Sequence, residues 1–278
     1  MIQVGPFSIK VVAIVISAVV AWRVPLALRG QDAARRRAAA ALVLDALLAG
    51  LVAARLGYVL RWWSEYLAGP WSILAIGDGG FYWWAGLPVA LVFLIGRTRA
   101  AGSLRRPALI GIVAGMATWA VMSGAVFVLQ RSATGLPELE LATLEGAVAN
   151  PAAFQGRPLV LNLWATWCPP CRREMPVFAQ AQRQYPGAAF LMINQGEEAP
   201  GIQAFLEQEG LAFDHVLIDS LSASMQALGT RALPSTFFFD ADGRMVDSHL
   251  GELTRARLRD VMQRRFSITP SPPTEDTP

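Results

Sequence analysis

Apolar residues crowd the first half of the chain in long runs, then give way near residue 131 to short alternating and amphipathic stretches. Four apolar segments stand out: about Ser8 to Leu28, Ala38 to Leu60, Phe81 to Gly96 and Pro107 to Gln130. Each approaches the ~20 residues that a bilayer core requires, the third being the shortest. The first does not read as a signal peptide. It lacks a basic start, and no small-x-small cleavage site follows its apolar run.

The second half alternates strand and helix patterns. "LELATL" reads as a strand, and "PLVLNLWA", Pro158 to Ala165, as a buried central one. A helix after Cys168 places Met175, Val177, Phe178 and Ala181 on one side. "AAFLMINQ" and "HVLID" read as strands, "PGIQAFLEQEG" as a helix closed by Gly210, and "SASMQALG" as a short helix. "STFFFD", the turn "ADGR" and "MVDSHLG" predict a hairpin with Asp-Gly at the turn. "TRARLRDVMQRRF" predicts a last amphipathic helix, and "SITPSPPTEDTP" a disordered end. The reading divides the chain into a transmembrane domain at 1–130, a linker at 131–136, an α/β domain at 137–266 and a tail at 267–278.

Charge fixes a direction for the membrane half. Arginine dominates the positive residues, and the formal net charge is only +3. Arg29, Arg35, Arg36 and Arg37 form one cluster, and Arg97, Arg99, Arg105 and Arg106 another. Positive-inside logic places both in the cytoplasm, and so the N-terminus and everything after segment four outside. The aromatic group Trp62, Trp63, Tyr66, Trp71, Phe81, Tyr82, Trp83 and Trp84 reads as an outer interfacial belt. No aromatic-rich basic face points to nucleic acid. Asp45 and Arg55 fall inside a segment about 15 Å apart, too far to pair with each other, so each is expected to pair with another helix.

The only two cysteines stand three apart, in "WATWCPPCRREMP". A disulfide across so small a loop stabilises little. Zinc needs about four ligands, and His215 and His249 are not in finger-like spacing, so no metal site is expected. A reactive pair is the stronger reading. A cysteine at a helix start faces unpaired backbone N–H groups and the positive end of the dipole, which favour thiolate. Cys168 is therefore the expected attacking thiol, accessible to solvent. Cys171, one turn on, can resolve the mixed disulfide. Pro169 and Pro170 suit the first helical turn, where a missing N–H breaks no bond.

Two resemblances follow. "NLWATWCPPCRREMP", "INQGE" and "LPSTFFFDADGR" resemble the TlpA/ResA branch of membrane-anchored, extracytoplasmic thioredoxins over about residues 137–266. That resemblance implies a thioredoxin fold and a cis bond before Pro234, facing the cysteines. It also implies substrate contacts from Leu233, Trp167 and Pro169, with Trp164 packing near the site. Glu174 matches an acid that this branch places near the cysteine pair, a proton carrier if it is buried, and Asn162 stands where cytosolic thioredoxins have a buried Asp. Gln195 and Glu197 lie in a loop near the strand ends and receive no role.

"VGPFSIK", "ARLGYVL" and "DGGFYWWAGL" resemble the opening segments of prolipoprotein diacylglyceryl transferase over about residues 3–100. The family's His-Gly-Gly is replaced by Trp84, Ala85 and Gly86, and its Gly-Arg-x-Gly-Asn block has no counterpart. Acyl transfer needs a base and cationic groups, so this half is expected to be an inactive membrane module.

The expected protein is a multi-pass bacterial inner-membrane thiol-disulfide oxidoreductase with its redox domain outside. It needs no cofactor beyond the Cys168–Cys171 pair. Its partners are protein thiol or disulfide clients, such as apocytochromes, copper-site proteins or damaged secreted proteins, and the lipid bilayer. Residues 1–167 contain no cysteine. Disulfide exchange needs a sulfur at every step, so electrons are expected from a separate membrane thiol reductase. Disulfide oxidase or isomerase activity, and a lipid-modifying protein with an accessory redox domain, stay open as alternatives.

Overall fold

The computed structural model describes residues 3–4, 7–28, 32–67, 70–74, 76–130 and 135–271. Arg29, most of the expected linker and the end from residue 272 lie outside the described residues. The chain divides into two compact units. One is built from Gln3–Ile73 and Gly80–Ser132, the other from Ala133–Pro278 together with Leu74–Gly79.

The first unit is helical. After the short strands β1 (Gln3–Val4) and β2 (Phe7–Ser8) come α1 (Ile9–Ala27), α2 (Ala33–Arg61), α3 (Trp63–Leu67), α4 (Trp83–Ala100) and α5 (Arg105–Gln130). Two helices, Ala33–Arg61 and Gly102–Ala125, are long and apolar enough to cross a membrane; Val11–Ala27 is a shorter apolar one. Small residues let the helices approach closely. A Cβ on Gly86 of α4 would lie 2.5 Å from the Gly50 carbonyl oxygen of α2. Glycine at such a crossing lets backbones meet where larger side chains would hold them apart.

The two ionisable groups within the apolar run of α2 differ in their surroundings. Arg55 meets backbone carbonyls of other segments and aromatic rings. Its guanidinium donates to the carbonyls of Gly80 at 3.0 Å and Ile73 at 2.9 Å, and the rings of Tyr58, Tyr66 and Phe81 lie within 6.0 Å. Asp45 is exposed and makes no hydrogen bond or ion pair among the described residues. It points outward on α2, between the exposed Leu44 and Leu48. The aromatic group also splits. Trp63, Trp71, Trp83 and Trp84 are exposed, as a belt requires, whereas Trp62, Tyr66 and Tyr82 are buried. The indole N–H of Trp62 donates to the Tyr82 hydroxyl at 2.9 Å.

The second unit is a seven-stranded mixed sheet with helices. Its elements are β3 (Leu141–Thr143), β4 (Val148–Ala149), β5 (Leu159–Trp164), α6 (Pro169–Gln184), β6 (Ala189–Gln195), α7 (Ala199–Gln208), β7 (Val216–Asp219), α8 (Ala223–Ala227), β8 (Ser235–Phe239), β9 (Met245–Leu250) and α9 (Arg255–Arg265). The strand order is β4-β3-β7-β6-β5-β8-β9. β5, β6 and β7 run parallel, and β8 returns antiparallel to β5.

Strand alternation sorts β5 onto two cores. Leu159, Leu161 and Leu163 join Leu191, Ile193, Phe237 and Phe239 on one face. Val160 and Trp164 join Cys168, Cys171, Met175 and Phe178 on the other. Asn162 lies between Val160 and Trp164, and so projects toward α6. Val177 is only half-buried, a step outside the stripe expected for α6. The chain stays ordered past Phe266: Ile268 packs against the core and the Ser271 N–H donates to the Gln184 carbonyl at 2.8 Å. The domain end expected at residue 266 therefore moves out to at least Ser271.

Candidate functional site

β5 ends at Trp164, and the chain turns through Ala165 and Thr166 into α6. Cys168 is the N-cap of that helix, with Pro169 and Pro170 in its first turn. Cys168 and Cys171 are joined by a disulfide. The Cys171 N–H also donates to Cys168 Sγ at 3.3 Å. The two prolines leave Cys171 as the first residue of the helix able to donate, so the sulfur receives one local N–H rather than several.

Cys168 does not have the open exposure that the sequence implies. It is only 4% exposed and belongs to the same buried cluster as Trp164 and Cys171. It meets solvent as part of the wall of a cleft of about 470 Å³. The expected residues Trp167 and Leu233 line the same cleft, and Trp167 is 68% exposed. Pro169 and Pro234 do not line it. The Leu233–Pro234 bond is cis, and the Pro234 carbonyl accepts the Gly251 N–H at 2.9 Å. Trp164 is fully buried, 5.6 Å from the Phe205 ring, and serves the core.

Glu174 follows Cys171 by one turn, and both are fully buried on the same face of α6. Its Oε1 accepts from Asn162 Nδ2 at 2.7 Å and its Oε2 from the Leu253 N–H at 2.7 Å. Asn162 Nδ2 also donates to Thr236 Oγ1 at 3.1 Å. Burial pushes the Glu174 carboxyl up to about 8, against the pull of the Leu253 and Asn162 hydrogen bonds. Desolvation outweighs the two donors, and the Glu252 carboxylate adds to the rise. This is a buried acid poised near neutral pH, not a solvated surface carboxylate.

Several features were not assigned from the sequence. Glu197 accepts from the Thr166 N–H and from Asn194 Nδ2, both at 2.7 Å, and from the Thr166 hydroxyl. It thereby ties the segment before Cys168 to the end of β6. Gln195 lines the cleft and donates to Ser224 Oγ at 2.9 Å. Asp219 caps α8 by accepting the N–H groups of Ala223 and Ser224 at 2.9 and 2.7 Å. Ser222 lines the cleft with a left-handed backbone, φ 53°. Arg231 lines it too, three residues before Pro234. The loop "INQGE" was the visible signal for Gln195 and Glu197. Thr166 and Ser224, among their partners, lie 31 and 29 residues away along the chain, and no spacing reports them.

The chain is similar to known proteins in two places. The Redoxin family model matches residues 131–262. The prolipoprotein diacylglyceryl transferase model matches residues 1–127, beyond the limit near residue 100 read from the sequence. The thiol-disulfide oxidoreductase ResA of Geobacillus thermodenitrificans is 34% identical over 136 residues, 48% of this chain and 76% of the relative. ResA of Halalkalibacterium halodurans is 32% identical over 125 residues, 44% of this chain and 70% of the relative. A solved thiol:disulfide interchange protein DsbE, described as putative, from Chlorobium tepidum is 24% identical with a TM-score of 0.43. That match covers 48% of this chain and 94% of the other. By sequence the chain belongs to the ResA family of thiol-disulfide oxidoreductases.

Proposed function

We propose that the chain is a membrane-anchored, extracytoplasmic reductase of protein disulfides, and that Cys168 and Cys171 perform the exchange. One observation carries this reading: Cys168 caps the start of α6 at the wall of an open cleft, with its partner sulfur buried one turn behind. An attacker reached through a cleft and a resolver buried behind it suit exchange chemistry.

In the reduced pair, the Cys168 thiolate attacks one sulfur of a client disulfide. A client thiolate leaves and a mixed disulfide forms. Cys171 gives up its proton and attacks Cys168 Sγ, which releases the second client thiol. Two electrons pass to the client, and Cys168–Cys171 closes. Glu174 is placed to take the Cys171 proton, since it shares that buried face and titrates near neutral pH. Leu233 and Trp167 form the client-facing walls. Pro169 keeps the helix start free of competing donors, and Pro234 with its cis bond shapes the strand start beside Leu233. The exchange uses sulfur alone and no added cofactor.

The helical half anchors the redox domain. The two arginine clusters place its loops in the cytoplasm and the cysteines outside. All four long helices cross the bilayer in this reading. Electrons come from a separate membrane thiol reductase, because residues 1–167 contain no cysteine to relay them. The test is reduction of a protein disulfide by the full chain with dithiothreitol as donor. Cys168→Ala should abolish turnover. Turnover by that variant at the rate of the unaltered chain would overturn the reading.

A further inference from the structure

Of the nine described residues that line the cleft, Arg231 alone carries a formal charge. Its side chain is exposed, and among the described residues no carboxylate lies within ion-pair distance of it. Two arginines on the outer face of α6 are neutralised: Arg172 pairs with Glu209 at 2.6 Å and Arg173 with Glu252 at 2.7 Å. Two acids close to the cleft in the chain are already committed, and the exposed Glu198 makes no ion pair with Arg231. Glu197 serves Thr166 and Asn194, and Asp219 serves the start of α8. The start of α6, at Cys168, adds the positive end of a helix dipole to the same wall.

We infer that Arg231 is a specificity residue that selects client segments carrying an acidic side chain beside the target disulfide. This deepens the reductase reading above and rests on it. A client must bring a sulfur to Cys168 in the cleft, so the residues flanking that sulfur pass Leu233 and Arg231. A carboxylate there meets an unopposed guanidinium inside a concave wall, which concentrates the field. A lysine there meets like charge. The neutral remainder of the lining, Trp167 and Met225 among it, supplies apolar contact that does not discriminate by charge.

Three peptides test this, each with one intramolecular disulfide, differing only in having Glu, Gln or Lys beside the cysteines. Reduction by the full chain is measured with dithiothreitol as donor. Each kcat/KM is divided by the rate of the same peptide with dithiothreitol alone, which removes intrinsic differences in disulfide reactivity. At low salt the Glu peptide should exceed the Gln peptide by about three-fold, the range of an exposed ion pair, and the Lys peptide should fall below both. The preference should shrink at high salt. Arg231→Gln should flatten the series and Arg231→Glu should reverse it. Equal corrected rates for the three peptides, or an unchanged order in either variant, would overturn the inference while leaving the reductase reading intact. Failure of all three peptides would remove the reductase reading, and this inference with it.

Discussion

Asn162 Nδ2 lies 2.7 Å from Glu174 Oε1, and both side chains are fully buried. One comes from the central strand β5 and the other from the helix that carries the cysteines. The contact arises because strand alternation turns residue 162 to the α6 face, and because Glu174 falls one turn after Cys171. The Asn162 carbonyl oxygen has no partner. An amide can present either its NH2 or its oxygen, and the Thr236 hydroxyl can donate or accept. The same three groups can therefore satisfy Glu174 as a carboxylate or, with the amide turned over, as an acid.

Asn162→Leu tests that coupling. It removes the donor to Oε1 and leaves burial unchanged, so the Glu174 carboxyl should rise further. A hydrogen bond to a charged group is worth about 1.5–3 kcal/mol, so the pH inflection of disulfide reduction should move up by about one to two units. The measurement is kcat/KM against pH. An inflection that stays in place would mean that Asn162 does not act through Glu174.

Glu174 should also leave a signature in stability. The folded chain holds its proton to about pH 8, whereas the ordinary value is 4.5. Between those values the native state binds more protons than the unfolded state. Stability should therefore fall as pH rises through that window, with a slope approaching about 1.4 kcal/mol per pH unit. Denaturant unfolding of the full chain at pH 5 and pH 8 reads this directly. Glu174→Gln should flatten the dependence. An equal slope in that variant would assign it to another group.

Much of this was legible in the sequence, and the limits are instructive. β5 was readable because "PLVLNLWA" is a continuous apolar run that only a central strand explains. The start of α6 was readable because two consecutive prolines suit the first turn of a helix. Glu174 was visible as a residue, but its burial was not. A helix carboxylate is ordinarily solvated, and the Leu253 and Asn162 donors make the burial of this one tolerable. Cys168 was expected in the open because reactivity requires access. The structure meets that requirement with a cleft and keeps the residue itself almost covered. Asp45 shows the opposite limit. Helical periodicity locates it on α2 but does not say which face the neighbouring helices take.

Glu197 makes a prediction about loop order. Glu197→Ala leaves the Thr166 N–H and the Asn194 amide without their acceptor. Stability should drop by about 1–3 kcal/mol. Reduction should slow as well, because the segment leading to Cys168 loses its tie to β6. A variant with unchanged unfolding and unchanged turnover would show that the contact is incidental.

The orientation has its own check. Reporters fused after residue 101 and after residue 266 should fall on opposite sides of the membrane, the second outside. A reporter active only in the cytoplasm when placed after residue 266 would invert the assignment.

The account rests on Cys168 as the attacking sulfur and Cys171 as the resolving one. The most direct measurement is the mass of the adduct formed when Cys171→Ala, in the full chain, meets a peptide disulfide. The account predicts a stable mixed disulfide on Cys168, released by dithiothreitol, and a much slower adduct from Cys168→Ala on the buried Cys171. Rapid adduct formation at Cys171 with none at Cys168 would contradict it.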